Sequence, residues 1–417
     1  MLNWLKCIKI YWIASDKISA MTSQKNPPVQ AQPSKNHVFM SLLLGNFVIG
    51  TGVMLVMGNL NELAASLQVS VAAAGQLITA AAITVCIAAP LMAALVARID
   101  RRFLLAACMI WYALMHAASA LAPDYASLMV LRILAVIAAA IFTPQAAAVA
   151  GMLASPEGRG KAITTVFLGW SLASVLGAPL SAWVGGAYGW RVAFWIVAAL
   201  SLLCAALLWR VLPRGLKPPA LSAAMWRQTL GSKLLIVTVL VTVLSASGQF
   251  VQWAYFSPYV TQQLKGSSSA VALMLASFGL FGVIGSFAVS RVIDRVGAAR
   301  AVMATLLLMA TSLLLWPFGA SVSLLMLVSI PWALGCFACN SAQQARLVAI
   351  APAVASVSIA LNTSALYLGQ GIGSAGGGLL IAQGQMARVH WLGFVGMALA
   401  IGMSLYAERL ASAPIQR

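Results

Sequence analysis

Residues 73–122 read AAGQLITAAAITVCIAAPLMAALVARIDRRFLLAACMIWYALMHAASALA. Two apolar runs, 73–97 and 103–122, flank one short charged cluster, Arg98-Ile-Asp100-Arg101-Arg102. Each run exceeds the ~18 residues that mark a helix able to cross a hydrocarbon layer about 30 Å thick. Lipid offers backbone N–H and C=O groups no partner, so the runs must be helices that satisfy themselves. The alternating strands of ~10 residues that mark a membrane barrel do not appear. The segment therefore reads as a membrane hairpin with a basic turn.

The same reading extends along the chain. Apolar runs fall at 39–63, 73–97, 103–122, 127–153, 162–186, 190–210, 234–260, 269–290, 299–318, 322–345, 356–382 and 389–407. The expected fold class is an all-α integral membrane protein with twelve transmembrane helices, arranged as two six-helix pseudo-repeat bundles. Composition agrees: of 417 residues, 62% are hydrophobic and 8% charged, against about 25% charged in soluble domains. The mean hydropathy is +0.95.

A net charge of +18 raises the question of nucleic acid, but the charges are sorted by position. With the N-terminus on the cytoplasmic side, every Lys and Arg except Arg132, Arg191, Lys265 and Arg388 falls on that side. This asymmetry is the positive-inside pattern. It places both termini in the cytoplasm, names the lipid bilayer as the partner of the basic face, and predicts no nucleic-acid partner.

Of the cysteines, Cys86, Cys108, Cys204, Cys336 and Cys339 lie in spans, so no disulfide framework is expected. Cys336 and Cys339 form a C-x-x-C with no second pair nearby, which reads as small-residue packing. No metal and no cofactor are expected. Residues 1–37 are polar, basic and rich in Pro, Gln and Ser, and show no signal-peptide pattern. They read as a disordered cytoplasmic tail, with Met21 and Met40 as alternative starts.

An internal repeat is visible. A second basic turn, Arg291-Val-Ile-Asp294-Arg295, follows the second span of the second half as 98–102 follows that of the first. Glycine-rich stretches recur in the fifth span of each half, Gly177-Ala-Pro179 and Gly369-Gln-Gly-Ile-Gly373. Similarity at a fixed offset marks a duplication. The expected divisions are 38–210 and 234–407 for the bundles and 408–417 for a cytoplasmic tail. The linker is 211–233, with Pro213, Pro218 and Pro219 and a run of basic residues. Six plus six helices in parallel repeat is a layout of secondary transporters. No filter-like sequence suggests a channel.

On these residues the chain resembles the major facilitator superfamily over 39–407, and most its sugar- and drug-efflux branch, the arabinose-efflux-like permeases. The family pattern after helix 2 is G-x-L-x-D-R-x-G-R-R, and here it reads Ala93-Ala-Leu95-Val-Ala97-Arg98-Ile-Asp100-Arg101-Arg102. The basic residues match, while Ala97 and Asp100 depart from the pattern. The second copy, Asp294-Arg295-Val-Gly297, is cleaner. The resemblance implies that Arg98, Asp100, Arg101, Arg102, Asp294, Arg295 and Gly297 form a conformational latch; the alternative is that these charges only set topology. Gly169, Gly177, Pro179, Gly185 and Gly186 resemble the family's antiporter motif in looser form, a helix-packing motif in which Gly177 and Pro179 are matched by Gly369 and Gly373. Trp190 and Trp195, in Gly189-Trp-Arg-Val-Ala-Phe-Trp195, are expected to anchor the outer interface. The resemblance also implies a monomer in a bacterial cytoplasmic (inner) membrane, with a small-molecule substrate and no enzymatic activity.

The acidic residues are Asp16, Glu62, Asp100, Asp124, Glu157, Asp294 and Glu408, none in the middle of a span. Related permeases often read G-T-x-E in helix 1; here the stretch is Gly50-Thr51-Gly52-Val53. Without a carboxylate at depth, a neutral or anionic substrate fits better than a cation. Arg132 and His116 are the coupling candidates, because an intramembrane charge is a functional hypothesis by default and His titrates near neutrality. The alternatives are an Arg132 that snorkels to the interface and a His116 that is packed and neutral. Amides facing lipid are costly. Asn46, Gln145, Gln249, Gln252, Asn340, Gln344, Asn362 and Gln370, with Trp253 and Tyr255, are therefore the candidate substrate-binding residues. Each amide is alternatively an interhelical staple. Pro258 is expected to break the seventh helix near its outer end as a gate.

The expected function is secondary active transport, efflux of a small neutral or weakly polar sugar-like or drug-like molecule by alternating access, with proton coupling open. A uniporter or importer of a neutral metabolite, and a non-transporting sensor or scaffold, are the alternatives.

Overall fold

A computed structural model describes residues 35–96, 98–155, 159–217 and 223–412. It contains twelve helices long and apolar enough to cross a membrane. They are α1 (Asn36–Gly58), α2 (Val71–Met92), α3 (Arg101–Ala120), α4 (Tyr125–Leu153), α5 (Ala162–Tyr188) and α6 (Trp190–Val211), followed by α7 (Lys233–Gln263), α8 (Ser268–Val296), α9 (Ala298–Phe318), α10 (Val322–Ile350), α11 (Val357–Ala382) and α12 (Met386–Ser412). Among the described residues the only regular structure is helical. The expected tail over 1–37 lies outside the described residues up to position 34, as do Ala97, Glu157, linker residues 218–222 and residues 413–417.

Helix ends follow local chemistry. Asp100 accepts from the backbone N–H groups of Arg102 and Phe103 at 2.8 and 3.4 Å, starting α3. Asp124, Ser232, Ser267 and Ser321 cap α4, α7, α8 and α10 in the same way, satisfying donors that a helix start otherwise leaves bare. Gly189 and Gly297 adopt φ of 90° and 85°, which lets one spanning helix pass directly into the next.

Several boundaries differ from the hydropathy reading. The first run, 39–63, ends as a helix at Gly58. Asn59 turns the chain there, its Nδ2 donating to the carbonyls of Leu55 (2.8 Å) and Ser181 (3.2 Å), and a short helix, Leu60–Ser66, follows. The break in α7 lies at Ala254–Tyr255, ahead of Pro258, because a proline has no N–H to close the turn onto residue 254. The turn Tyr259–Gln263 is then a π-helix, as is Ala173–Gly177 just before Pro179. The linker contains a helix, Ala223–Gly231. Trp190 is buried at 2% exposure, edge-to-face against Phe194 and under the Arg191 guanidinium, whereas Trp195 is 46% exposed. Trp190 is thus a packing residue, because the tight Gly189 turn directs it into the bundle.

The most buried of the spanning helices are α1 and α7. α1 packs on α4, α5 and α6; α7 packs on α11 and α12. α2 meets α11 and α5 meets α8 across the two halves. Glycines set these distances. A Cβ on Gly169 would lie 2.4 Å from the Leu43 carbonyl, and one on Gly369 would lie 2.3 Å from the Val243 carbonyl. Gly169 also meets Asn46 and Phe47 where Gly369 meets Ala246 and Ser247, and Gly177 meets Thr51 where Gly377 meets Val251. Every contact in the second half stands 200 positions after its mate, so the duplication is carried by the α1–α5 and α7–α11 joints themselves. The outer ring of the bundle shows Leu91, Leu95, Phe103, Leu180, Phe318 and Leu379, as a lipid-facing surface requires.

Candidate functional site

A cavity of about 250 Å³ lies between the two halves, near the lower edge of the ~300–1,000 Å³ range of small-molecule sites. The first half supplies Val53, Met54 and Met57 of α1, Thr143 and Pro144 of α4, and Phe167 and Trp170 of α5. The second supplies Gln249 and Trp253 of α7, Phe278 of α8, Trp332 and Asn340 of α10, and Thr363, Tyr367 and Gln370 of α11. No Asp, Glu, Lys, Arg or His is among the described lining residues.

Hydrogen bonds sort the amides into two kinds. Asn46 is a staple: its Nδ2 donates to the Val166 carbonyl at 3.0 Å, and its Oδ1 accepts from Thr143 at 2.8 Å. Thr143 in turn accepts from Trp170 Nε1 at 3.3 Å, which fixes both side chains at the wall. Asn362 is the counterpart staple. Its Oδ1 accepts from Thr242 at 2.6 Å and its Nδ2 donates to Asn340 Oδ1 at 3.1 Å. Gln249 Oε1 accepts from Trp332 Nε1 at 3.4 Å. The Gln370 amide, the Tyr367 hydroxyl and the Asn340 Nδ2 make no hydrogen bond among the described residues. They are the free polar groups of the wall. Pro144 has no N–H and so releases the carbonyl of Ala140, also a lining residue.

Of the residues expected from sequence, Gln249, Trp253, Asn340 and Gln370 line the cavity. Asn46 and Asn362 stand behind it, holding Thr143 and Asn340. Gln145 and Gln252 are buried in α4 and α7, and Gln344 lies on α10, away from the lining set. Tyr255 is a wedge beyond the cavity: its hydroxyl donates to the Ser374 carbonyl at 2.9 Å, and a Cβ on Gly75 or Gly378 would collide with it. The lining residues that sequence reasoning passed over are Thr143, Trp170, Phe278, Trp332 and Tyr367. Rings at depth read equally well as lipid-facing or core.

One end of the cavity is sealed. Trp253, Phe278 and Trp332 meet with ring centroids 4.1 to 5.8 Å apart, and the cluster continues through Trp316 to Phe256 and Tyr259. Beyond it the halves are tied together. Asn61 Nδ2 donates to Ser257 (3.1 Å) and Thr261 (2.9 Å), and Gln262 donates to Asn61 Oδ1 (3.2 Å). Ser268 donates to Glu62 Oε1 (3.4 Å), and Thr79 and Ser374 share a bond of 2.8 Å. All these bonds lie toward the end that carries the α1–α2 and α7–α8 turns.

At the opposite end the latch candidates stay within their own half. Asp100 caps α3 and accepts from the Gly215 N–H, and Arg101 N–H donates to the Leu216 carbonyl at 3.0 Å, so the start of the linker is clasped to this turn. Arg101 Nη1 donates to the carbonyls of Val96 and Ile99, and Arg102 lies over Trp209. Arg98, Asp294 and Arg295 are on the surface, and Gly297 provides the positive-φ turn into α9.

The coupling candidates form one buried cluster behind α1. Arg132 is 2% exposed and donates from Nη1 and Nη2 to the carbonyls of Gly52 (2.8 Å) and Val53 (2.7 Å). It does not snorkel. Tyr112 donates to the Ile49 carbonyl at 3.0 Å, and His116 bonds the Tyr112 carbonyl through Nδ1 at 2.9 Å. A Cβ at position 52 would strike Tyr112 and His116, so Gly52 admits both rings. No carboxylate pairs with Arg132 among the described residues.

Two helical halves that enclose one central cavity, sealed at one end, define a membrane transport protein of the two-bundle type. The Major Facilitator Superfamily model matches the chain twice, over residues 42–244 and 238–415. The chain belongs to the major facilitator superfamily; it is a multi-pass transporter and not an enzyme. It is 31% identical over 355 residues to the Inner membrane transport protein YdhP of Escherichia coli K12, covering 84% of this chain and 90% of that one. It is 29% identical over 358 residues to a Probable sugar efflux transporter of Helicobacter pylori strain P12, covering 86% and 91%. In fold it is similar to a bacterial homolog of the human lysosomal transporter Spinster in an inward-facing, unoccupied conformation, with a TM-score of 0.76 at 17% identity over 93% of this chain and 100% of that one.

Proposed function

We propose that the protein exports a small uncharged molecule, aromatic or hydroxylated, across a bacterial inner membrane by alternating access. One observation carries this reading. A single cavity draws its wall from both halves, is sealed at one end, and offers rings, amides and a phenol with no charged side chain among the described lining residues. Such a wall suits stacking and neutral hydrogen bonds and gives a cation no counter-charge. Export is supported by the likeness to a protein named as a sugar efflux transporter and by the Gly177–Pro179 stretch of α5.

In this reading both termini are cytoplasmic, as the sorting of Lys and Arg supports. The sealed mouth then faces outward. Residues 38–210 and 234–407 are the bodies that rock, 211–233 is their linker, and the 98–102 and 294–297 turns latch the other state. Gln249, Trp253, Asn340 and Gln370 contact the solute. Arg132 holds α1 in register behind the wall. The uncharged wall also supports a second reading, uniport of a neutral metabolite, in which neither Arg132 nor His116 couples to protons.

The test is transport in liposomes containing the purified protein, across a panel of sugars, aromatic drugs and metabolites. Saturable flux of at least one solute, with a cysteine at position 340 that becomes reactive from each side in turn, is the expected result. No flux of any solute, together with a one-sided cysteine, overturns the proposal. Flux indifferent to an imposed pH gradient selects uniport over proton-driven export.

A further inference from the structure

Among the described residues the sealed mouth contains one carboxyl, that of Glu62, in the short helix between α1 and α2. Its Oε1 accepts a 3.4 Å bond from Ser268, the residue with which α8 of the other half begins. Its Oε2 is buried and has no hydrogen-bond partner. The third side of the site is the end of α5: a Cβ on Gly186 would fall 2.4 Å from Ser268 Cβ and 3.9 Å from Glu62 Oε1. The glycine therefore lets α8 close down over the carboxyl.

The charged and titratable groups on the packed elements do not answer it. Arg191 of α6 bonds Ser66 at 3.1 Å and the Ala122 carbonyl at 3.1 Å. Lys265, in the turn before Ser268, is exposed and makes no pair with Glu62. Arg388 and His390, by Tyr259–Gln263, make none either. α5, α7 and α8 present Gly186, Thr261 with Gln262, and Ser268. Glu62 also does not line the cavity.

We propose that Glu62 makes closure of this mouth proton-dependent, its uncharged carboxyl sealing against Ser268 and its ionised form favouring the parted mouth. A carboxylate with one long hydroxyl bond, its own backbone N–H and one bare oxygen loses most of its hydration when α8 closes over it. Burial accordingly raises the Glu62 carboxyl above its usual range, more than its hydrogen bonds lower it. When the halves part, α8 carries Ser268 away and water reaches both oxygens, so the group returns toward the ordinary value of about 4.3. The closed mouth thus binds the proton more tightly. By linkage it is favoured at low pH and loses ground as pH rises through the raised value.

The proton comes from, and returns to, the solution on that one side of the membrane. Glu62 therefore sets how readily the mouth opens and carries no net proton across. The role rests on the alternating-access reading and adds to it a response to the pH outside.

The experiment measures the mouth directly. Ala65→Cys and Gln263→Cys, both exposed and on opposite halves, carry spin labels in full-length protein that lacks its native cysteines and is held in nanodiscs. Pulsed dipolar spectroscopy then gives the open-to-closed ratio between pH 5 and pH 8. The ratio should rise with pH, about tenfold for each unit by which closure raises the carboxyl pKa. Glu62→Gln should stay closed throughout, with the thermal midpoint of the parent at pH 5 as its folding control. Ser268→Ala should move the transition to higher pH. A parent whose open mouth ignores pH, or a Glu62→Gln protein that titrates like the parent, overturns the proposal alone. A mouth that stays closed at every pH in every variant overturns the alternating-access reading with it.

Discussion

The Nη2 of Arg132 lies 2.7 Å from the backbone carbonyl of Val53, while the side chain of Val53 faces the cavity. A cation thus grips the back of the wall at the position where related permeases often carry a helix-1 glutamate. It holds the peptide in place of a carboxylate.

Replacing Arg132 should loosen α1. Arg132→Lys reaches with one compact ammonium instead of a fork and should keep one of the two carbonyl bonds. The loss expected is about 1.5–3 kcal/mol, typical of hydrogen bonds to charged groups, read as a lowered thermal midpoint. Arg132→Gln should lose more. Val53→Glu should do something different: with an acid on the wall beside Arg132, transport should become more steeply pH-dependent than in the parent.

The free and committed amides should behave differently. Gln370→Ala removes an amide available to the solute and should raise KM roughly three- to tenfold, as one hydrogen bond is worth, with little change in thermal midpoint. Asn340→Ala should raise KM and also lower the midpoint, because it bares the Asn362 Nδ2. Asn362→Ala removes a staple and leaves Thr242 and Asn340 bare in the bundle. It should lower the midpoint by the equivalent of about 1–3 kcal/mol. Equal behaviour of the two classes would refute the division.

Gly169 and Gly369 should be equivalent under substitution. Valine at either drives a methyl-bearing carbon into a backbone carbonyl that cannot move aside, and overpacking of this kind costs about 1–3 kcal/mol or more. Both variants should show reduced folded yield in detergent, of similar size, because the two joints are copies.

Asn61→Ala removes two bonds that close the mouth and one that it receives. At about 0.5–1.5 kcal/mol each, the open-to-closed ratio should rise by roughly one to three orders of magnitude, measured by the same label pair at positions 65 and 263.

Hydropathy exposed the twelve helices because lipid admits only helices or closed barrels and the long unalternating runs leave only helices, a constraint that acts on every residue of a span. Ends were less legible. Asn59 stops α1 through side-chain bonds to Leu55 and Ser181, and Ser181 lies far off in sequence. The amide distribution pointed to the helices around the cavity, since burial in lipid penalises an amide wherever it faces out. It did not fix the rotation of each helix about its axis. That rotation turns Gln370 and Asn340 to the cavity and leaves Asn46 and Asn362 behind it. Trp332 and Phe278 had no such signal, because a ring is at home in lipid, core or site alike. Arg132 stood out as an intramembrane charge, but its partners are backbone carbonyls, which carry no mark in the sequence.

The aromatic seal has a spectroscopic consequence. Trp253 and Trp316 both stand in ring contact with Trp332, at centroid separations of 5.8 and 5.7 Å and interplanar angles of 74° and 65°. Indoles this close and this skewed couple their electronic transitions, which gives a signed near-ultraviolet circular dichroism couplet that persists as long as α7, α9 and α10 of the second half stay packed together. The protein therefore carries its own optical gauge of the packing of its second half, which should stay constant as the halves rock and be lost only when that bundle unfolds.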